Sequence, residues 1–266
     1  MATTDCFLLE CRSNLHAGSG NENYGVIDKA VQRDVANGCP IIHGSGLKGA
    51  LREHFVNHND MKTIFGSSPK EEDPNEKSKP GHYNFYDAWL IAYPVRSNVI
   101  PFFSATTPEL VQDFLDRCEN FGFTLNATLK TRLAKLAAIV RHRPVVFAQP
   151  GFGTEIVLED WEAENDSAEF TKDDLALFEP ILGKNLALLP YPLFKELTEN
   201  LPVIARNYLE NGQSANLWYE ELVPRGARFY TFIEDKKNKQ VFDPSGRIQV
   251  GGNASVGQGQ VVFSKL

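Results

Sequence analysis

Two glycine clusters near the N-terminus bracket a polar loop with one isolated acid, Asp28, ahead of Gln32-Arg33-Asp34: Gly18-Ser19-Gly20 precedes it and Gly44-Ser45-Gly46 follows. His16 precedes the first cluster, Gln32-Arg33-Asp34 follow the acid, and Lys48 and Arg52 follow the second cluster. Each residue type brings its own chemistry. A carboxylate can take a proton as general base or hold a divalent ion. A histidine can orient a phosphate or shuttle a proton near neutral pH; it can equally be a buried structural group. Glycines let backbone approach a ligand closely, and the free N–H groups of a helix start attract anions. Lys48 and Arg52 are four apart, so they share a helix face and add fixed positive charge. The set reads as a phosphate-binding helix start, with Ser45, Gly46, Lys48 and Arg52 at the anion. It faces a loop that carries Gly18, Ser19, Asp28 and Arg33. Taken alone, Asp28 would be an ordinary solvated loop acid; its place between the glycine clusters and near Arg33 raises its functional weight. His43 reads as a loop residue.

The elements that must position these residues follow from the pattern around them. Phe7 to Cys11 is short and apolar and predicts a first strand; Pro40-Ile41-Ile42 leads into the second glycine cluster. Leu47, Ala50, Leu51 and Phe55 fall at helical spacing and predict a helix from Leu47 to about Asn57. Gly44 to Gly49 formally matches GxGxxG, but a dinucleotide fold needs a buried strand ending in an acid about 20 residues on. That region is instead residues 67–82, SSPKEEDPNEKSKPGH, which reads as a mobile charged surface insertion. A P-loop fails as well, since no Lys-Ser/Thr follows Gly49.

Further along, Tyr83 to Val95 predicts a strand pair or one long bent strand. Thr107-Pro108 is a cap followed by a first-turn proline and opens a helix that buries Leu110, Phe114, Leu115, Cys118 and Phe121. A second helix, about Asn126 to Arg141, buries Leu129, Leu133, Leu136 and Val140 and turns Lys130, Arg132 and Lys135 outward. Strands at 145–147 and 155–158 and helices at 173–182 and 192–201 follow. Val203 to Leu222 reads as a β-hairpin turning at Asn211-Gly212; Arg206 lies on it, and Trp218 and Tyr219 are aromatics that either stack on bases or belong to the core. Two late strands, Arg228 to Glu234 and Gly259 to Phe263, flank a glycine-rich stretch with Gly251, Gly252 and Gly257. Mixed strands and helices with long loops predict an α+β domain.

Composition sets bounds. The chain has 266 residues, enough for one large domain over 1–266. There is no long apolar run, so no membrane span is expected. Cys6, Cys11, Cys39 and Cys118 form no CxxC pair. Neither a disulfide framework nor a zinc site is expected, and a reducing cytoplasm is the default. Lys+Arg 27 against Asp+Glu 34 gives a net charge of −7, which counts against a plain nucleic-acid binder. The charges are uneven, however. Acids gather at 71–76 and 155–179, and bases at Lys48/Arg52, between Lys130 and Arg143, and at Arg225/Arg228. A net acidic body can still carry a basic groove.

Four stretches in order carry a resemblance. They are LHAGSG, GVIDKAVQRD and PIIHGSGLKGALRE together; Asp87-Ala88-Trp89 with Pro94-Val95-Arg96-Ser97; Asn216 to Glu221; and Gly251-Gly252-Asn253 running to Gly257-Gln258-Gly259. The chain resembles the RAMP superfamily of CRISPR RNA-binding proteins, and within it the repeated backbone subunit of type III-B (Cmr) effector complexes.

The resemblance implies a modified RNA-recognition-motif (ferredoxin-like) palm with insertions, a projecting β-hairpin thumb for which 203–222 is the candidate, and a glycine-rich C-terminal loop lying along a guide RNA. It implies copies stacked head to tail on the guide, pairing of the guide with a complementary target RNA, and other Cmr subunits as partners. It also implies that Asp28 matches the family's aspartate for target-RNA cleavage. Asp28 would then be the general base, or the ligand of a divalent ion such as Mg2+ that serves as one. Arg206 and the glycine-rich loop join the RNA contacts. Glu220 and Glu221 match a family stretch that does not say which of them matters. A non-catalytic scaffold and a stand-alone nuclease processing guide precursors are the other readings.

Overall fold

A computed structural model of the chain describes residues 2–20, 26–67, 79–147 and 155–266. Strand β1 (Thr3–Cys11) buries Cys6, Phe7, Leu8 and Leu9 in succession, the mark of a strand covered on both faces. After the irregular segment that carries Asp28 come β2 (Ile41–Ile42), helix α1 (Gly44–His54) and the short α2 (Met61–Phe65). Strands β3 (Tyr83–Phe85), β4 (Ala88–Arg96) and β5 (Phe102–Thr106) lead to helices α3 (Pro108–Asn120) and α4 (Ala127–Ala137). Then come β6 (Val145–Val146), β7 (Ile156–Leu158), β8 (Trp161–Asn165), α5 (Lys172–Leu182), β9 (Leu186–Leu188) and α6 (Tyr191–Glu199). The chain ends with β10 (Val203–Glu210), β11 (Gln213–Glu221), β12 (Arg228–Asp235), β13 (Gly246–Gln249) and β14 (Gln260–Lys265).

Twelve of these strands form one mixed sheet in the order β13-β14-β1-β12-β4-β5-β9-β6-β8-β7, with β2 beside β4 and β3 beside β12. Its centre, β14-β1-β12-β4, is antiparallel throughout. Only β5–β9 and β6–β8 run parallel. The architecture is thus mixed α/β around one large sheet. β3 and β4 both pair with β12, so 83–96 is one strand run bent at Tyr86-Asp87. The remaining two strands, β10 and β11, form a two-stranded sheet of their own. They turn at Asn211 (φ 51°) and Gly212 (φ 80°), the positive-φ pair that a two-residue hairpin requires. Most of this hairpin is exposed, including Tyr208, Leu209 and Leu217.

Several helix boundaries are set locally. The Thr107 side chain accepts the Leu110 N–H at 3.2 Å, and Pro108 occupies the first turn. Thr171 and Asp174 form a reciprocal capping box on α5. Two boundaries differ from the sequence pattern. Helix α1 starts three residues early, so Gly44, Ser45 and Gly46 are its first turn and not a preceding loop. Its cap comes from far away: the Asp87 carboxylate accepts the Gly44 N–H at 2.6 Å. Helix α4 stops at Ala137, so Val140 is 77% exposed instead of buried.

The heart of the charged insertion, 68–78, lies outside the described residues. Its ends meet where Ser67 N–H donates to the Lys79 carbonyl at 2.9 Å. No helix among the described residues is long and apolar enough to cross a membrane. All four cysteines are free and buried.

Candidate nucleic-acid interface

The base of the hairpin gathers most of the candidate residues. Residues 28–31 run alongside the last turn-distal residues of β11: Lys29 N–H donates to the Tyr219 carbonyl at 3.1 Å, and Glu221 N–H donates to the Lys29 carbonyl at 2.9 Å. This ladder puts Asp28 against Tyr219, whose N–H donates to Asp28 Oδ2 at 2.7 Å. The other carboxylate oxygen makes no hydrogen bond among the described residues.

On the same strand, two residues on and about 7 Å away, the Glu221 carbonyl meets His16 Nδ1 at 2.8 Å. A carbonyl only accepts, so Nδ1 donates and Nε2 is the ring's remaining nitrogen. The ring is 7% exposed and lies under Gly18, where a Cβ would come within 2.9 Å of Nε2. Its backbone is covered as closely. Gly252 N–H donates to the His16 carbonyl at 2.9 Å, and Gly251, at φ 73°, sits where a Cβ would run into that carbonyl. The glycine-rich loop is therefore packed against the first cluster, with Gly257 ending its 3-10 turn at 254–256.

Glu220 and Glu221 do different work. Glu220, 1% exposed, accepts from Trp218 Nε1 at 2.7 Å and Asn253 at 2.8 Å. It also pairs with Lys29 at 3.2 Å and Arg206 at 3.0 Å. Burial pushes its carboxyl up, but these hydrogen bonds and the Arg206 charge outweigh it and hold the pKa below the ordinary value. One carboxylate thus ties together the Asp28 segment, both hairpin strands and the glycine-rich loop. Glu221 accepts the Val31 N–H at 3.0 Å and the Arg33 guanidinium at 2.6 Å. Arg33 also donates to the Gly38 and Thr198 carbonyls at 3.1 and 2.7 Å. Arg33 and Arg206, expected to face RNA, are thus engaged with buried carboxylates of the protein. For Arg33 the chain carries no local signal of this job, because Glu221 lies 188 residues away; Arg206 reaches Glu220 across the hairpin itself.

The helix start lies beside this base. Gln32 donates to the Gly18 carbonyl at 2.9 Å and accepts the His43 N–H at 2.7 Å, so one side chain joins the first cluster to the entry of α1. Ser45 and Gly46 are exposed in the first turn, and no side chain of His43 caps it. Lys48 lies 6.0 Å over the Phe85 ring. Burial, then the charges of Arg52 and Lys236, lower its pKa.

The family model of the RAMP superfamily matches residues 8–262. The chain belongs to the RAMP superfamily. It is 27% identical over 282 residues to the CRISPR system Cmr endoribonuclease Cmr4 of Pyrococcus furiosus, covering 92% of this chain and 90% of that protein. The fold matches the type III-B Cmr-beta complex solved with cognate target RNA (TM-score 0.78, 21% identity, 99% of this chain and 97% of that chain). It also matches oligomeric Cmr4 from Pyrococcus furiosus (TM-score 0.72, 20% identity, 99% and 98%).

In the other basic stretch of this RAMP chain, Arg132 and Lys135 on α4 and Arg141 beyond its end are paired. Arg132 meets Asp174 at 2.8 Å, Lys135 meets Glu169 at 2.8 Å, and Arg141 meets Asp166 at 3.2 Å. Arg228 is paired with Glu10 at 2.7 Å. Among the described residues no group of three or more His, Cys, Asp or Glu could hold a metal ion. Asp28 offers a single carboxylate. Magnesium commonly binds through one or two carboxylates together with substrate phosphates and water, so Asp28 fits such an ion in the company of an RNA phosphate.

Proposed function

We propose that this chain is the repeated backbone subunit of a type III-B CRISPR effector complex, and that it cuts the target RNA paired with the guide. What supports the reading, beyond the family, is the hairpin base. Asp28 is fastened to the foot of the projecting hairpin, so whatever the hairpin displaces is presented next to that carboxylate. The antiparallel order β14-β1-β12-β4, with α1 between its first two strands in the chain, supports a ferredoxin-like palm. The exposed β10–β11 hairpin supports a thumb. Copies stack along the guide, with the guide, the complementary target, further copies and other Cmr subunits as partners, no membrane, and the cytoplasm as location. Four free thiols suit that reducing compartment.

In the chemistry, the thumb, with exposed Tyr208, Leu209 and Leu217, displaces one target nucleotide. The freed ribose 2′-oxygen attacks the adjacent phosphorus, the bond to the 5′-oxygen breaks, and a cyclic phosphate and a 5′-hydroxyl result. Asp28 accepts the 2′-hydroxyl proton through the oxygen that Tyr219 leaves free. His16 serves to position: it holds the Gly18 loop on Glu221. A divalent ion bound at Asp28 would polarise the phosphate as a Lewis acid. Ser45, Gly46, Lys48 and Arg52 hold the guide backbone, and base pairing supplies sequence specificity. Gly18, Ser19, Gly251, Gly252 and Gly257 give the RNA a close backbone approach.

The test is a gel of end-labelled complementary RNA with complexes carrying normal chain, Asp28→Ala chain, or both, with and without magnesium. Asp28→Ala should lower cleavage by about 10²-fold or more, leave target binding intact, and in mixtures remove individual cuts without moving the others. Full cleavage by the Asp28→Ala complex would leave a non-catalytic scaffold as the better account.

A further inference from the structure

We propose that the turn after β12 carries a second phosphate contact, Lys236, which works with Lys48 and Arg52 of α1 on the backbone of the bound RNA. The inference rests on the RNA-holding reading above. In the sequence, Lys236-Lys237-Asn238-Lys239 follows an acidic pair, Glu234-Asp235, and carries no local signature of an anion site.

The turn is built, and built against α1. Asp235, 5% exposed, accepts the Lys237 N–H at 3.0 Å, the Gln240 N–H at 2.8 Å and the Tyr83 hydroxyl at 3.0 Å. Lys236 N–H donates to the His82 carbonyl at 3.0 Å. Asn238 and Gln240 take the left-handed conformation, at φ 49° and 51°, which closes the turn within five residues. Phe242 then packs edge-on against Phe55 at the end of α1, ring centroids 5.2 Å apart, and against Phe65 at 5.4 Å. The turn and the helix are thus fixed to one another, with Lys236, Lys237 and Lys239 exposed.

This arrangement brings like charges together. Lys236 is near enough to Lys48 to repel it, as Arg52 is. None of the three has an ion pair among the described residues. One guanidinium nitrogen of Arg52 is buried without a hydrogen-bond partner. Cations that repel one another and lack an ion-pair partner are relieved when an anion joins them. About 10 Å of helix separates Ser45 from Arg52, further than one phosphate can span. The helix start and the Lys48–Arg52–Lys236 cluster therefore take different phosphates along one strand.

The experiment measures binding of a guide-length single-stranded RNA by the full chain across a salt series. It compares the unaltered protein with Lys236→Gln, Lys236→Arg, and Lys172→Gln. The last removes an equal charge from the exposed start of α5. Losing one phosphate contact should flatten the slope of log K against log salt by about 0.7. Lys236→Gln should show that loss, while Lys236→Arg and Lys172→Gln keep the original slope. A Lys236→Gln slope equal to that of Lys172→Gln overturns the inference and leaves the RNA-holding reading standing. Failure of the unaltered chain to bind RNA at low salt sinks both.

Discussion

On α4, Arg132 and Lys135 each stand 2.8 Å from an acid of the 166–179 region; on α1, Lys48 and Arg52 have no ion-pair partner among the described residues, and Lys236 adds positive charge beside Lys48. In the sequence the two helices look alike: cations at helical spacing opposite an apolar stripe. The fold separates them. Asp174 in the first turn of α5 and Glu169 just before it pair with Arg132 and Lys135 of α4. At Lys48 the 236–240 turn brings more positive charge, while the Asp87 carboxylate is engaged at the helix start, on the Gly44 N–H. A cation with a local partner contributes to the fold, while a cation left without one remains available to a polyanion.

The largest stability effect should come from the most heavily engaged carboxylate. Glu220→Ala removes the common partner of Lys29, Arg206, Trp218 and Asn253. Truncating one side of a buried charged network costs about 3–5 kcal/mol. Thermal or urea unfolding should show it, and a loss under 1 kcal/mol would mean that water replaces the carboxylate freely.

On the paired face the effect should be smaller. Arg132→Ala should cost at most about 1 kcal/mol, because half-exposed pairs are screened, and should leave RNA binding untouched. It should also change the acid limb. Burial raises the Asp174 pKa, but the Thr171 hydrogen bonds and then Arg132 outweigh it and hold the carboxyl below its ordinary 3.8. A depressed carboxylate contributes stability above its unfolded pKa and loses it as pH falls through the folded value. Without Arg132 that loss should begin at higher pH, within the range just below about pH 4, visible in unfolding curves taken at successive pH values. An unchanged acid limb would assign the depression to Thr171 and Lys135.

These contrasts also mark what sequence could and could not reveal. Thr107-Pro108 and Asn211-Gly212 were legible because a cap and a hairpin turn are decided by adjacent residues. The start of α1 was not, since Asp87 supplies its cap across the fold. Strands β5, β8, β9 and β13 were missed, being three to five residues long and stabilised by pairing rather than by periodicity. The motif residues Asp28, His16 and Gly251 do converge on the hairpin base. What joins them is Glu220 and Glu221, and no local pattern distinguishes those two acids. Arg33 looked free because Glu221 is 188 residues away in the chain; Arg206 looked free because its pairing with Glu220, diagonally across the hairpin, depends on the strand register.

Two double variants remove the same charge, Lys48→Gln with Arg52→Gln and Arg132→Gln with Lys135→Gln. RNA retention by each, at matched salt and across guides of unrelated sequence, compares the two faces in one measurement. Retention should fall steeply for the α1 pair, equally for every guide, and stay at the unaltered level for the α4 pair. Equal retention by both, or a loss confined to the α4 pair, would contradict the assignment of α1 as the RNA-bearing face.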